Sequence, residues 1–148
     1  KFFGQPYATL EYVQSALIDQ AWHDNPTDLP EDGEQVESFE ADSLEGYGVA
    51  DPFTVPRYRS PYFAHAFAGG YDAGYYSYMW AEAMVGELEE WFRGDASNSG
   101  DGALNREAGK RLRIELLSRG NSRDPLESFV AVRGHEPEGT AVIRRRGL

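Results

Sequence analysis

The stretch Tyr62-Phe63-Ala64-His65-Ala66-Phe67-Ala68-Gly69-Gly70-Tyr71-Asp72-Ala73-Gly74-Tyr75-Tyr76-Ser77-Tyr78-Met79-Trp80 decides how the rest of the chain is read. A histidine and a glycine pair come first, and Tyr71, Tyr75, Tyr76 and Tyr78 follow in close succession. The spacing beyond the glycines predicts one long helix over 71–92, with Gly69-Gly70 as the break before it. On such a helix Tyr71, Tyr75 and Tyr78 stand at i, i+4 and i+7 and share a face. Trp80, Met84 and Leu88 then form the stripe turned to the core. Tyrosine is amphipathic and often packs between helices with its hydroxyl at the edge, so packing is the ordinary meaning of such a row. The same row beside the His65 imidazole is also a set of fixed donors, suited to a peptide carbonyl or a developing oxyanion.

Outward from this stretch the pattern is all-α. Residues 8–22 carry Leu10, Val13, Leu17, Ile18 and Ala21 at helical spacing, and Asn25-Pro26 and Leu29-Pro30 stop the run. A short amphipathic helix over 36–47 uses Phe39 and Leu44 and closes at Gly46 and Gly48. Asp51-Pro52 and Val55-Pro56 hold residues 51–59 in an extended loop. Residues 62–68 read as a turn of helix or an extended arm, and 95–102 as a polar loop. A helix is expected over 104–117, ended by Arg119-Gly120. Another is expected over 124–132, with Asn121 or Ser122 as its cap and Pro125 in its first turn. Residues 134–139 read as irregular, and neither an internal repeat nor a low-complexity segment is evident.

Composition narrows the function classes. The 148 residues are enough for a domain-sized core, and 41% hydrophobic with 14% aromatic residues is not the make-up of a disordered tail. Cysteine is absent, which removes disulfides and thiolate metal sites and fits a reducing, cytoplasmic setting. No apolar run approaches the roughly 20 residues that span a bilayer, so no membrane partner is expected. A net charge of −11 argues against nucleic acid, whose phosphates call for a basic surface. The acids concentrate over 24–51, which contains no Lys or Arg, and they lack the ligand spacing of a calcium-binding loop. A solvated face is the simpler reading. The run Arg144-Arg145-Arg146 is too short for a nucleic-acid patch and suits pairing with acidic neighbours.

The tyrosine-rich stretch resembles the segment near the C-terminus of the zinc metallopeptidases that include thimet oligopeptidase, oligopeptidase A and bacterial peptidyl-dipeptidase. Four further blocks agree in order and spacing. Glu11-Tyr12-Val13 through Leu17-Ile18-Asp19-Gln20-Ala21-Trp22-His23 looks like the family's helix after the zinc site. Pro56-Arg57-Tyr58-Arg59-Ser60, followed by Tyr62-Phe63-Ala64-His65, looks like its substrate-side loop. Leu117-Ser118-Arg119-Gly120-Asn121-Ser122-Arg123-Asp124-Pro125 looks like its late helix junction, and Arg144-Arg145-Arg146-Gly147-Leu148 like its terminus. The six-residue step from His65 to Tyr71 is closer to the peptidyl-dipeptidase branch than to thimet oligopeptidase.

The resemblance implies an activity on short peptides and a role for particular residues. It implies that Tyr78 donates to the oxyanion, and that His65 and Tyr71 donate to the substrate backbone on either side of the scissile bond. Tyr75 is a weaker substrate-binding candidate, because its register can aim it at neighbouring helices. Gly69 and Gly70 would give the loop freedom to approach the peptide. The family's zinc is held by H-E-x-x-H on a helix with a further downstream Glu. Here only His23, His65 and His135 are present, no two within a helical turn, so no metal ligands are assigned in this chain. Residues 1–148 are therefore expected to be the C-terminal helical part of a longer zinc peptidase, inactive alone, whose partner is the remainder of the same polypeptide. Two other readings compete with this one: a helical interaction module whose tyrosine face binds a partner, and a degenerate, non-catalytic paralogue. An H-E-x-x-H upstream of Lys1 would separate them.

Overall fold

The computed structural model describes residues 2–24, 29–94 and 104–148, and among them every regular element is helical. The expected stop at Asn25-Pro26 and the polar loop over 95–102 lie outside the described residues. The chain divides into two compact units, 1–78 and 79–148. No helix among the described residues is long and apolar enough to cross a membrane.

The first unit is built on α1 (Gln5–Asp24) and α2 (Gly33–Gly46). Asp32 caps α2 by accepting from the Gln35 N–H at 2.9 Å, a stabilising arrangement for an orphan donor at a helix start. Trp22 of α1 meets Phe39 of α2 with ring centroids 4.6 Å apart. The buried face of α1 differs from the expected apolar stripe. Tyr12, Ala16, Ile18 and Ala21 are buried, but so are Gln14, Ser15 and Asp19, whereas Val13 and Leu17 are only partly covered. The buried polar groups survive because the loops packed on α1 supply their partners. Gln14 donates to the Val49 carbonyl at 2.9 Å, and Ser15 Oγ accepts from the Tyr58 N–H at 2.8 Å.

From the proline-bounded loop the chain enters a 3₁₀ turn (Ser60–Tyr62) and a short α3 (Ala64–Ala68). Buried Glu40 of α2 fixes this entry by accepting from the Ser60 N–H and pairing with Arg59. Trp22 donates its indole N–H to Ser60 Oγ at 2.7 Å. Phe63, fully buried at the start of α3, stacks on Tyr58 at 5.0 Å and meets Tyr75 edge-on at 5.0 Å.

The expected helix over 71–92 starts later than the sequence suggests: α4 spans Ser77–Arg93. Residues 72–76 are turns, and Ala73 takes a left-handed φ of +53° that a continuous helix cannot contain. The expected core stripe also changes. Trp80 is 60% exposed, and the buried residues of α4 are Gly86, Glu87 and Trp91.

In the second unit α4 continues alongside α5 (Arg106–Leu112), α6 (Pro125–Arg133) and α7 (Thr140–Arg146). Trp91, Ala108 and Val132 form its core, with Leu88, Phe92, Leu112 and Leu116 packed against them. Gly86 explains which side of α4 is used, since a Cβ there would stand 3.3 Å from the Ala141 backbone of α7. Glu87 accepts from the Glu138 and Gly139 N–H groups, supplying the cap that Gly139 lacks at the start of α7. The helix expected over 104–117 is α5 followed by a π-helical turn (Arg113–Leu117), closed by the Ser118 N–H on the Arg113 carbonyl at 2.9 Å. Asp124, rather than Asn121 or Ser122, caps α6, accepting from the Leu126 N–H at 2.7 Å. The arginine run lies on α7 and pairs with the acids of α4, Arg144 with Glu90, Arg145 with Glu89 and Arg146 with Glu82. That helix is absent from the sequence reading.

Candidate functional site

Three of the expected donors converge. His65 sits on α3, Tyr71 just beyond the glycines, and Tyr78 in the first turn of α4. The His65 ring stacks on Tyr71 with centroids 4.7 Å apart, and Tyr71 stacks on Tyr78 at 6.2 Å. His65 Nε2 and the Tyr78 hydroxyl lie 2.7 Å apart, a hydrogen bond whose direction depends on the imidazole tautomer. Tyr71 and Tyr78 are both exposed, so the cluster presents its polar atoms to the outside.

Tyr71 and Tyr78 therefore meet, but not as neighbours on one helical face. Tyr71 precedes α4, and a turn brings its ring back, with the Gly74 N–H on the Tyr71 carbonyl at 2.8 Å. Gly70 begins that return with φ +72°, a left-handed conformation that costs residues with a Cβ about 1 kcal/mol or more. Gly69 lies close under α3, where a Cβ would stand 3.2 Å from the His65 carbonyl.

Tyr75 is placed differently from the other two. It is only 5% exposed, stacked on Tyr12 at 5.0 Å and met edge-on by Tyr58, Phe63 and His65. Its ring is the floor under the cluster, 5.6 Å from Tyr78. Tyr76, next in sequence, is exposed.

Burial, opposed by the nearby Arg57 cation, pushes the Tyr75 phenol up from the ordinary value to about 12. A phenol raised in the folded state stabilises it fully below the ordinary value, and that contribution is lost as pH rises through the folded one. Unfolding by urea followed against pH is accordingly expected to show a stability loss between pH about 10 and about 12, part of which Tyr75→Phe removes. Tyr78 is also raised, by partial desolvation first and then by the Tyr71 phenol beside it. It therefore stays protonated, and a donor, across the neutral range.

The described residues do not fit a zinc centre: no group of three or more His, Cys, Asp or Glu side chains among them is arranged to hold a metal ion. What the cluster offers is hydrogen-bond donation from aromatic side chains held by a packed floor.

The sequence profile of Peptidase family M3 matches residues 1–148. The chain belongs to peptidase family M3. Among curated relatives of this M3 chain, the dipeptidyl carboxypeptidase of Salmonella typhimurium is 39% identical over 146 residues, covering 99% of the chain. That of Escherichia coli is 38% identical over the same length. Oligopeptidase A of Haemophilus influenzae is 42% identical over 91 residues, or 61% of the chain. The M3 chain spans about a fifth (20%) of the length of the two dipeptidyl carboxypeptidases, and 12% of that of the oligopeptidase. The early resemblance thus named the right family.

The residues that shape the site of this M3 chain from behind escaped the sequence reading. Tyr12, Asp19 and Gln20 of α1 all bond to the turn that carries Tyr75. The sequence showed them within the block that resembles the family's helix, with no sign that they reach the turn before α4.

Proposed function

We propose that this chain is the substrate-facing C-terminal helical part of a longer M3 peptidase that hydrolyses short peptides. The observation that carries the proposal is the exposed His65–Tyr71–Tyr78 cluster, in which a phenol and an imidazole share a hydrogen bond at the surface of the first unit. A substrate peptide laid over the cluster takes the place of that internal bond. The Tyr78 hydroxyl turns from His65 to the carbonyl oxygen as it gains charge, and gives its hydrogen bond where the charge develops. His65 and Tyr71 are freed to donate to backbone carbonyls on either side and fix the peptide's register. Tyr75 holds the floor and Gly69-Gly70 lets the loop come close to the peptide. The family's zinc would be held by residues of the longer polypeptide, since those described here do not fit it. The His65–Tyr71 step and the similarity to dipeptidyl carboxypeptidases favour removal of C-terminal dipeptides. The proposed compartment is the cytoplasm, in keeping with a sequence without cysteine.

The test compares the longer protein with the isolated chain. The longer protein is expected to release dipeptides from the free C-terminus of an N-blocked pentapeptide, to lose this activity to a chelator, and to regain it with zinc. The isolated chain is expected to hydrolyse nothing and to show no stoichiometric zinc binding at submicromolar affinity by calorimetry. Tight zinc binding by the chain alone contradicts the proposal. A folded longer protein that cleaves no peptide favours the degenerate paralogue instead.

A further inference from the structure

We infer that Asp19 is a positioning residue for the donor cluster, acting as a clamp on the turn between Tyr71 and Tyr78. Asp19 is fully buried on α1, 0% exposed, and its two carboxylate oxygens are spent on two backbone groups of one turn. Oδ1 accepts from the Ala73 N–H at 3.0 Å and Oδ2 from the Tyr75 N–H at 2.9 Å. The same helix holds the carbonyls of those two residues. Gln20 donates to the Ala73 carbonyl at 2.7 Å, and the Tyr12 hydroxyl to the Tyr75 carbonyl at 2.5 Å. The N–H and the carbonyl of both Ala73 and Tyr75, on either side of Gly74, are thus bonded to side chains of one helix. His23 lies one turn further along α1, its Nδ1 3.1 Å from Asp19 Oδ1.

This arrangement bears on the cluster because of where the turn leads. Ala73 sits at φ +53°, a conformation an alanine adopts only when its surroundings impose it. Asp19 and Gln20 grip the peptide groups on both sides of that residue. Released, the alanine has a more favourable right-handed or extended alternative, and the chain after it swings. The residues that follow are Tyr75, the floor of the cluster, and Tyr78, in the first turn of α4. Asp19 touches none of His65, Tyr71 or Tyr78 through any bond described above. Its influence on catalysis passes through the backbone of the turn. Donors to an oxyanion act only within a narrow range of distance, so a displacement well under the width of an atom suffices to weaken them.

The inference rests on the proposed peptidase function, and the test keeps the two separable. In the longer peptidase, Asp19→Asn preserves shape but turns an amide N–H₂ toward one of the two backbone N–H groups. Its kcat/KM for peptide hydrolysis is expected to fall about ten-fold or more. Combined with Tyr78→Phe, Asp19→Asn is expected to cost under about three-fold, because its effect runs through a hydroxyl already removed. Should Asp19→Asn fail to fold, Tyr12→Phe and Gln20→Ala each remove one bond to the turn and are expected to show the same non-additivity with Tyr78→Phe at a smaller size. A folded Asp19→Asn enzyme with wild-type kcat/KM overturns the inference, as do penalties that multiply in the double variants. If Tyr78→Phe itself retains wild-type kinetics, the peptidase reading of the cluster falls and the clamp with it. If Tyr78→Phe loses activity while folded Asp19→Asn does not, only the clamp falls.

Discussion

Tyr78→Phe in the longer peptidase lowers kcat by about 10²–10³-fold with little change in KM. The substitution removes one hydroxyl and almost no volume. The ring keeps its neighbours, Tyr71 at 6.2 Å, Tyr75 at 5.6 Å and His65 at 5.6 Å, so the fold should not notice it. The hydroxyl bonds to His65 Nε2 in the free chain, and in the proposed reading it donates to the oxyanion only as charge develops. Such an interaction belongs to the transition state and shows in kcat rather than in KM. His65→Ala and Tyr71→Phe should raise KM as well as lower kcat, because their proposed partners are ground-state carbonyls. Tyr76→Phe is the control, an exposed phenol outside the cluster, and should be close to neutral. Steady-state hydrolysis by the four variants, with melting temperatures alongside, is the check. Wild-type kcat and KM for Tyr78→Phe would return the tyrosine row to helix packing.

Phe63→Ala destabilises the first unit by about 3–5 kcal/mol. Phe63 is 0% exposed and sits where three rings meet, with Tyr58 and Tyr75 each 5.0 Å away and Phe67 at 6.5 Å. Truncation loses the transfer energy of a whole aromatic ring and leaves a cavity that its planar neighbours cannot close. The void opens beside the Tyr75 ring that supports His65 and Tyr78. Activity should therefore fall together with stability, unlike the Tyr78 case. Phe63→Leu refills most of the space and should recover more than half of both losses. Urea unfolding followed by tryptophan fluorescence measures the first, and peptide hydrolysis the second. An unchanged unfolding midpoint for Phe63→Ala would mean that this ring is not the keystone of the aromatic floor.

Much of the fold was legible in the sequence where a helix carries its own signals. The spacing around Leu17 and Ile18 marked α1, and Pro125 in the first turn marked α6, although its cap proved to be Asp124. The family was legible too, because the motif order around His65 and Tyr71 is specific. Three features were hidden because tertiary partners decide them. Gly74 was a weak signal against helix within 71–76, and the hold of α1 on Ala73 and Tyr75 fixes a turn there. Trp80 reads as core by hydrophobicity, yet Gly86 rather than Trp80 sets which side of α4 meets α7. The short α7 follows a glycine with no side-chain cap of its own, and Glu87, some fifty positions upstream, provides one. The stretch that carries His65, Tyr71 and Tyr78 stood out in the sequence and the resemblance implied their roles, but their geometry was not legible. Tyr71 reaches Tyr78 through a turn, and Tyr75, which shares their helical register, ends up beneath them.

The most direct test of Tyr78 as the oxyanion donor compares two ligands in one enzyme. A phosphinic peptide carries a tetrahedral, negatively charged centre where the substrate carries a planar carbonyl. A donor aimed at the oxyanion contributes to the affinity of the first and not of the second. With Tyr78→Phe in the longer peptidase, the inhibition constant of the phosphinic peptide is expected to rise by the same factor, about 10²–10³, as kcat/KM falls, while binding of a matched uncleaved peptide is unchanged. A phosphinic peptide that binds the variant as tightly as the wild type, while kcat/KM drops, would contradict the assignment.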